Sequence, residues 1–244
     1  GELYSLTSGN NWINNSGWNT ADLSSWFGIT VASDRVTGID LPANNLSGDL
    51  PKFLGDMRKL TSIDLSENEI TSLPVLTNII QLTMLNVSNN RLQFDDLEPN
   101  INIPSLIYSP QKLAGVMLEE LVPVGADYLL SVSIGGSANS YQWFRNGVEV
   151  EEGNAAEYTI AGIDFATMGD YQLEVTNSKV AGLTIQSNVQ RVLATASLAG
   201  RITDKSELPV NDAFGALLIV KAGAYDTTGH FRSGPNGTFV IEEV

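Results

Sequence analysis

The sequence predicts a mostly β, multidomain protein, and three observations lead to that prediction. An apolar pattern recurs in the first hundred residues, with copies that begin at Val36, Leu60 and Leu82. From about residue 108, short alternating strands separated by Gly, Asn and Asp turns replace that pattern. The chain has 244 residues, of which 43% are hydrophobic and 17% charged, enough for two or three domains with cores of their own.

The second copy of the repeat begins 24 residues after the first, and the third begins 22 residues after the second. Three rows of apolar and Asn positions match: Val36, Ile39, Leu41, Asn44, Leu46; Leu60, Ile63, Leu65, Asn68, Ile70; and Leu82, Leu85, Val87, Asn90, Leu92. Ile39 and Leu41 point inward from a short strand, and Asp40 between them points outward. Leu106–Tyr108 fits a last half-strand that closes the stack.

The asparagine of each copy has a predicted structural role. Asn44, Asn68 and Asn90 follow the strand, where a tight bend leaves backbone groups unpaired, so buried amides are expected to join successive coils. The five-position pattern resembles a leucine-rich repeat, and Leu46-Ser-Gly-x-Leu50-Pro51 resembles its plant-type form. The resemblance implies a short repeat solenoid over residues 1–107.

Residues 1–35 are expected to cap the exposed end of that stack. Trp12, Trp18 and Trp26 lie in this segment, which resembles the amino-terminal α/β cap of plant-like repeat proteins but offers no Cys. Packing over the first coil is the favoured role of the aromatic rings. A platform for stacking on sugars is the alternative.

Residues 108–193 resemble an immunoglobulin-like β-sandwich. Trp143 matches the buried Trp of the third strand, and Tyr171 matches the tyrosine corner, two residues before the second Cys position. That position is Leu173, which implies aliphatic packing with Leu130 or Val132 in place of the inter-sheet disulfide. The Asn146-Gly147 pair predicts a tight hairpin.

Residues 194–244 resemble a carboxypeptidase regulatory-like β-sandwich. The resemblance rests on Gly200-x-Ile202-x-Asp204, Pro209-Val210-x-x-Ala213 and Gly237-x-Phe239. The segment is short for that family, so either the chain ends inside the domain or the domain is unusually small.

Gly1 opens the chain without a secretory signal, which favours a mature or excised segment. Together the three resemblances imply a surface or secreted protein of Bacteroidetes type.

Composition and motifs argue against several functions. The formal charge of −15 argues against nucleic acid and anionic membranes as partners, and no apolar run is long enough to span a bilayer. The only His is His230, no phosphate loop is present and there is no Cys, so no catalytic set, cofactor or metal site is expected. The acidic pairs fit solvated turns, with weak calcium binding as the alternative: Asp95–Asp96, Glu119–Glu120, Glu151–Glu152 and Glu242–Glu243.

Outward positions of the repeat strands form the candidate binding ridge. Its members are Thr37, Asp40, Thr61, Asp64, Thr83, Met84 and Asn86. Repeat proteins of this kind bind through neighbouring residues of such a sheet. A merely structural coil is the competing interpretation, because the ridge has no exposed Tyr, Trp or Arg.

The sequence therefore predicts a non-catalytic, secreted or cell-surface binding protein, adhesin-like and monomeric. Its expected partner is an unidentified extracellular protein or glycan. The alternative is a set of spacer domains that hold another domain away from the cell. The short, Pro-containing link at Tyr108–Gln111 predicts that the second domain docks on the last coil.

Overall fold

A computed structural model gives the fold. It describes residues 1–195, 198–201, 203–204, 206–210, 214–221, 224–232 and 238–241. The described chain is mostly β, as the sequence predicts. It divides into two compact units, Gly1–Leu118 with Leu130–Tyr158 and Asp170–Gln190, and Glu119–Leu129 with Thr159–Gly169 and Arg191–Val244. The boundaries of the three domains expected from the sequence stay a prediction.

The repeat segment contains seven short strands and two short helices. The helices are α1 (Glu2–Leu6) and α2 (Phe94–Leu97). The strands are β1 (Ile29–Ala32), β2 (Arg35–Asp40), β3 (Ser47–Asp49), β4 (Ser62–Asp64), β5 (Glu69–Ser72), β6 (Met84–Asn86) and β7 (Ser105–Ile107). Four short 3-10 helices lie between the strands or precede them: Gly9–Asn11, Leu23–Ser25, Lys52–Asp56 and Glu98–Asn100.

One strand from each coil joins a single sheet in the order β1-β2-β4-β6-β7. Strand β1 is antiparallel to β2, and the other neighbours are parallel and in register, with Ile39 opposite Ile63 and Ile63 opposite Leu85. Leu85 in turn lies opposite Leu106, so the expected last half-strand is present. A second parallel ribbon, β3 with β5, runs along the segment that carries the plant-type Ser-Gly pair.

The core of this segment is a stack of aliphatic side chains. The apolar repeat positions are buried except for Val36, which is half-buried, and Leu41, Leu65 and Val87 have no exposed surface. Leu54, Leu73 and Leu76 are buried on the return side of the coils. Each coil is too thin to bury these side chains alone, so successive coils complete one another's core.

Buried asparagines fasten the turn that follows each strand. Asn68 Nδ2 donates to the carbonyls of Leu41, Leu65 and Ser66, and its Oδ1 accepts from the backbone N–H of Asn44 and Leu46. The residue before it, Glu67, has a φ of 58°, and this left-handed bend turns the backbone groups toward the amide.

The same arrangement recurs along the stack and ends on a glutamine. Asn90 donates to Leu65, Val87 and Ser88 and accepts from the N–H of Ile70. Where the next asparagine is missing, Gln111 Oε1 accepts from Leu92 N–H, and Gln111 Nε2 donates to the carbonyls of Val87 and Tyr108. At the other end, Asn44 exchanges two hydrogen bonds with the backbone of Asn14. The amide ladder therefore runs from the cap to the link.

The segment after Tyr108 consists of short antiparallel strands. They are β8 (Leu118–Pro123), β9 (Tyr128–Ser131), β10 (Asn139–Arg145), β11 (Val148–Glu149), β12 (Glu157–Ile160), β13 (Gly169–Asn177), β14 (Thr184–Gln186) and β15 (Gln190–Thr195). Strand β10 pairs with β11 and β13, and β13 pairs with β14. The predicted hairpin is present: φ is positive at Asn146 and Gly147, and Arg145 lies opposite Val148.

The residues that carry the immunoglobulin-like resemblance lie in the core of this segment. Trp143 is fully buried, and its ring N–H donates to Ala155 O at 3.0 Å. It lies opposite Leu173, which is also fully buried, as is Leu130. Tyr171 is buried beside Tyr158, with ring centroids 6.4 Å apart, and its burial raises the pKa of its hydroxyl against the lowering effect of Arg145.

A carboxylate joins the last coil to the second segment. Glu98 accepts from Ser137 N–H and Ser137 Oγ at 2.7 and 2.6 Å, from Asn177 Nδ2 at 2.8 Å and from Lys179 Nζ at 3.4 Å. The hydrogen bonds to Ser137 lower the pKa of Glu98 to about 2. Tyr108 OH also donates to Ala181 O at 2.6 Å. The expectation of docking on the last coil therefore agrees with these contacts.

In the final segment the described strands form two antiparallel pairs. Strand β16 (Leu198–Arg201) pairs with β19 (Thr238–Ile241), and β17 (Phe214–Lys221) pairs with β18 (Ala224–Arg232). Three residues of the carboxypeptidase regulatory-like motif, Ile202, Ala213 and Gly237, lie outside the described residues, as does the Glu242–Glu243 pair.

Replacing Asn68 by alanine is expected to destabilise the repeat segment by about 3 kcal/mol, because several buried backbone groups lose their partner at once. Denaturant unfolding of the whole chain measures this change. Asn102→Ala, at an exposed position of the same segment, is the control and should stay within about 0.5 kcal/mol. Equal losses in the two variants would contradict the structural role of the ladder.

Glu98→Gln is expected to destabilise the chain most at neutral pH. The folded-state pKa of about 2 is below the ordinary 4.5, so the stabilisation is complete above about pH 4.5 and disappears as the pH falls toward 2. Unfolding free energies measured from pH 7 to pH 2 should therefore show the wild-type chain and the Glu98→Gln variant converging in acid. A constant difference between them would contradict this coupling.

Candidate binding surfaces

The sheet register places four of the seven ridge residues in two outward rows. Asp40, Asp64 and Asn86 lie side by side in one row, which continues at Ile107. Met84 belongs to the second row, beside Ser62. Asp40, Thr61 and Thr83 are exposed, whereas the others are half-buried: Thr37, Asp64, Met84 and Asn86. Asp40, Asp64, Asn86 and Met84 therefore lie together on one face of the sheet. Thr61 and Thr83 precede their strands, and strand alternation places Thr37 on the same face as the buried Ile39.

The ridge threonines hold one coil to the next. Thr61 Oγ1 donates to Thr37 O at 3.0 Å, and Thr83 Oγ1 donates to Thr61 O at 3.2 Å. The backbone N–H groups of the same two residues donate to the same carbonyls. Because these hydroxyls already have acceptors in the preceding coil, the threonines act mainly as positioning residues.

Asp64 and Asn86 form a fixed polar pair. Asn86 Nδ2 donates to Asp64 Oδ2 at 3.2 Å, across neighbouring strands. Asp64 Oδ1 accepts from Ser66 Oγ at 2.7 Å, and Asn86 Oδ1 accepts from Ser88 Oγ at 2.9 Å, in each case a serine two residues later. These turns lock both side chains, so the row offers acceptor atoms at defined positions.

Asp40 differs from the two residues beside it. Pro42, which has no hydroxyl and no backbone N–H, stands where the later coils have Ser66 and Ser88, so the serine turn cannot form around the Asp40 carboxylate. Among the described residues, no hydrogen bond or ion pair involves this carboxylate, and the residue is exposed. Asp40 is therefore the ridge residue with the most capacity for a new contact.

The aromatic residues of the cap pack against one another. The ring centroids of Trp12 and Trp18 are 4.8 Å apart, and those of Trp18 and Trp26 are 4.5 Å apart. The ring N–H groups of all three donate to backbone carbonyls, those of Thr7, Phe27 and Thr20. These contacts support the packing role rather than a sugar platform. An apolar pocket of about 230 Å³ lies beside Trp26, Phe53 and Met57.

A polar pocket at the side of the repeat stack was not predicted from the sequence. This lateral pocket has a volume of about 600 Å³ and is lined by Asp56, Arg58, Lys59, Asn78, Ile80 and Gln81. The 22-residue spacing between the second and third copies of the repeat could have predicted this pocket. It places the residues just before Leu60 beside those just before Leu82. The inward and outward pattern of the strands carries no such signal, because the pocket lies outside the strands.

Neither metal nor membrane features occur in the part of the chain that the structure describes. No group of three or more acidic or histidine side chains there could hold a metal ion. No helix among those residues has the length and apolar character required to cross a membrane. His230 lies on strand β18, and its side chain is outside the description.

The repeat segment matches a known protein family. Residues 34–92 match the model described as "Leucine rich repeat", which covers strands β2 to β6 and therefore most of the ridge. The coarse class predicted for this segment is thereby confirmed.

The relatives by sequence are plant receptor proteins. One is a leucine-rich repeat receptor-like protein kinase from Arabidopsis thaliana, 42% identical over 76 residues, which are 30% of this chain and 10% of that protein. Another is phytosulfokine receptor 1 of the same plant, 34% identical over 99 residues, which are 38% of this chain and 10% of the receptor. The chain thus spans about a tenth of the length of these curated relatives.

Solved immunoglobulin-type structures match more weakly. Sidekick-1 immunoglobulin domains 1-5 are 14% identical, with a TM-score of 0.31 over 53% of this chain and 30% of theirs. Three N-terminal domains of the bacteriophage RB49 Highly Immunogenic Outer Capsid protein are 12% identical, with a TM-score of 0.28 over 52% of this chain and 55% of theirs. At these scores the immunoglobulin-like interpretation depends on the chain's own strands and buried residues.

Proposed function

We propose that this chain is a non-catalytic binding protein, secreted or exposed on a cell surface, in which a short leucine-rich repeat solenoid contacts an extracellular protein or glycan through its ridge. The observation that carries the proposal is the in-register row of Asp40, Asp64 and Asn86 on a parallel sheet. Leucine-rich repeat segments are typical protein-binding modules, because their sheet presents an extended concave surface.

The ridge suits recognition because it is ordered before a partner arrives. Neighbouring strands stand about 5 Å apart, and hydrogen bonds already hold Asp64 and Asn86 in place. Little conformational entropy is then lost on binding. The row offers carboxylate and amide oxygens, so the complementary surface presents hydrogen-bond donors or positive charge. Met84 and Ile107 add apolar contact at one end.

The remaining domains of the proposal are an immunoglobulin-like domain at 108–193 and a small carboxypeptidase regulatory-like domain at 194–244. Buried Trp143, Tyr171 and Leu173 support the first of these. The adhesin-like role, the Bacteroidetes origin and the monomeric state rest on the sequence resemblances alone. They complete the proposal without further structural support.

A spacer is the second candidate function. The Glu98 network favours it, because one carboxylate with four hydrogen bonds holds the last coil against the second segment. Such a hydrogen-bonded contact limits the motion of one segment relative to the other, as a spacer requires. A spacer would show no ligand at the ridge.

Asp40→Arg is expected to weaken partner binding about tenfold, because it reverses the charge at one end of the proposed contact row. Asp40 is the residue of choice since its carboxylate makes no hydrogen bond to the described residues, so the fold should tolerate the change. The intact chain and the variant are used side by side in a pull-down from mucosal and matrix extract. The affinity for each captured protein or glycan is then measured with purified components.

Asp49→Arg provides the control for the change of charge, although it also removes the hydrogen bond that the Asp49 carboxylate accepts from Thr71 Oγ1. It makes the same charge change at an exposed position of the repeat segment, but on the β3–β5 ribbon rather than the ridge. Thermal unfolding confirms that both variants are folded. Equal binding by Asp40→Arg and Asp49→Arg would place the contact away from the ridge, and no captured partner would favour the spacer function.

A further inference from the structure

Two cations of the lateral pocket make no ion pair with the described residues, although Asp56 also lines the pocket. Arg58 and Lys59 line the pocket, and among the described residues neither side chain takes part in an ion pair or hydrogen bond. By contrast, each of the ion pairs found there engages a cation elsewhere: Arg91, Lys112, Lys179 and Arg191. In a chain with a formal charge of −15, two adjacent unpaired cations form a local exception to the surrounding negative charge.

The repeat geometry builds the pocket from equivalent positions of two coils. Ser62 lies opposite Met84 in the sheet, an offset of 84 − 62 = 22 residues. The same offset puts position 56 beside 78, 58 beside 80 and 59 beside 81. Gly55 lies at the base, where a Cβ would stand 2.7 Å from the Val75 carbonyl oxygen, so no larger residue fits without a shift. The pocket is therefore part of the ordered stack.

The lining suits an acidic peptide. Arg58 and Lys59 complement carboxylates, and the guanidinium can bind one through two parallel hydrogen bonds. Asp56, Asn78 and Gln81 provide acceptors and donors for backbone N–H and C=O groups. Ile80 is 96% exposed and offers apolar contact beside the cations.

We propose that the lateral pocket binds an acidic segment of a partner protein, with its carboxylates at Arg58 and Lys59 and an apolar side chain against Ile80. An anionic saccharide fits less well, because none of the lining residues is aromatic and the pocket lacks a surface for stacking on a sugar ring. This surface is separate from the ridge and extends the proposed function with a second contact.

The test uses the whole chain and a short synthetic peptide in which glutamates flank a central leucine. Titration calorimetry should detect binding of this peptide and not of its counterpart with glutamine in place of glutamate. Lys59→Glu should weaken the affinity about tenfold. Lys52→Glu, which makes the same charge change at an exposed position outside the pocket, should leave it within about twofold.

Further variants distinguish peptide binding at the lateral pocket from binding at the ridge and from a long-range effect of charge. Ile80→Ser should weaken binding of the glutamate–leucine peptide more than that of the same peptide with serine in place of leucine. Asp40→Arg should leave peptide binding unchanged, so failure at the ridge and failure at the pocket are distinguishable. Binding of heparin in preference to the peptide, no binding of either, or equal losses in Lys59→Glu and Lys52→Glu would overturn the proposal.

Discussion

The hydrogen bonds of the buried amides are the constraint on which the repeat segment depends. Each coil must bend sharply after its strand, and the bend turns carbonyl and N–H groups into an apolar core where water cannot reach them. One asparagine per coil satisfies up to five such groups, as Asn68 does. Without these amides the bends would leave unpaired polar groups, at a cost that the aliphatic stack would have to offset.

The amide ladder also fixes the geometry of both candidate surfaces. Because it holds successive coils in register, Asp40, Asp64 and Asn86 form a row on the sheet. The same register sets Arg58 beside Ile80 and Lys59 beside Gln81 at the side of the stack. A ligand that bridges two coils at either surface would therefore meet groups whose spacing the core has already determined. Recognition and stability share one structural cause in this segment.

Side-chain hydrogen bonds also hold the junction between the repeat segment and the strands that follow it. Gln111 replaces the missing asparagine and ties the link to the last coil through Leu92, Val87 and Tyr108. Glu98 then accepts hydrogen bonds from Ser137, in the bend before β10, and from Asn177 at the end of β13. The ladder is thus continued by one longer amide and one carboxylate.

The sequence by itself determined the repeat, its inward leucines, the asparagine ladder and the hairpin at Asn146-Gly147, because each follows from local periodicity or turn chemistry. It also predicted that Asp40, Asp64 and Asn86 occupy equivalent positions of successive strands, as the sheet register has them. Only the tertiary structure decided that Gln111 completes the ladder, that Glu98 binds Ser137, and that Arg58 and Lys59 share a pocket with Ile80. The contacts of Gln111 and Glu98 join residues from different coils or segments, whose proximity depends on how the chain packs, and no local pattern encodes it. The repeat spacing relates the positions of Arg58 and Ile80, but only the packed coils show that a pocket lies between them.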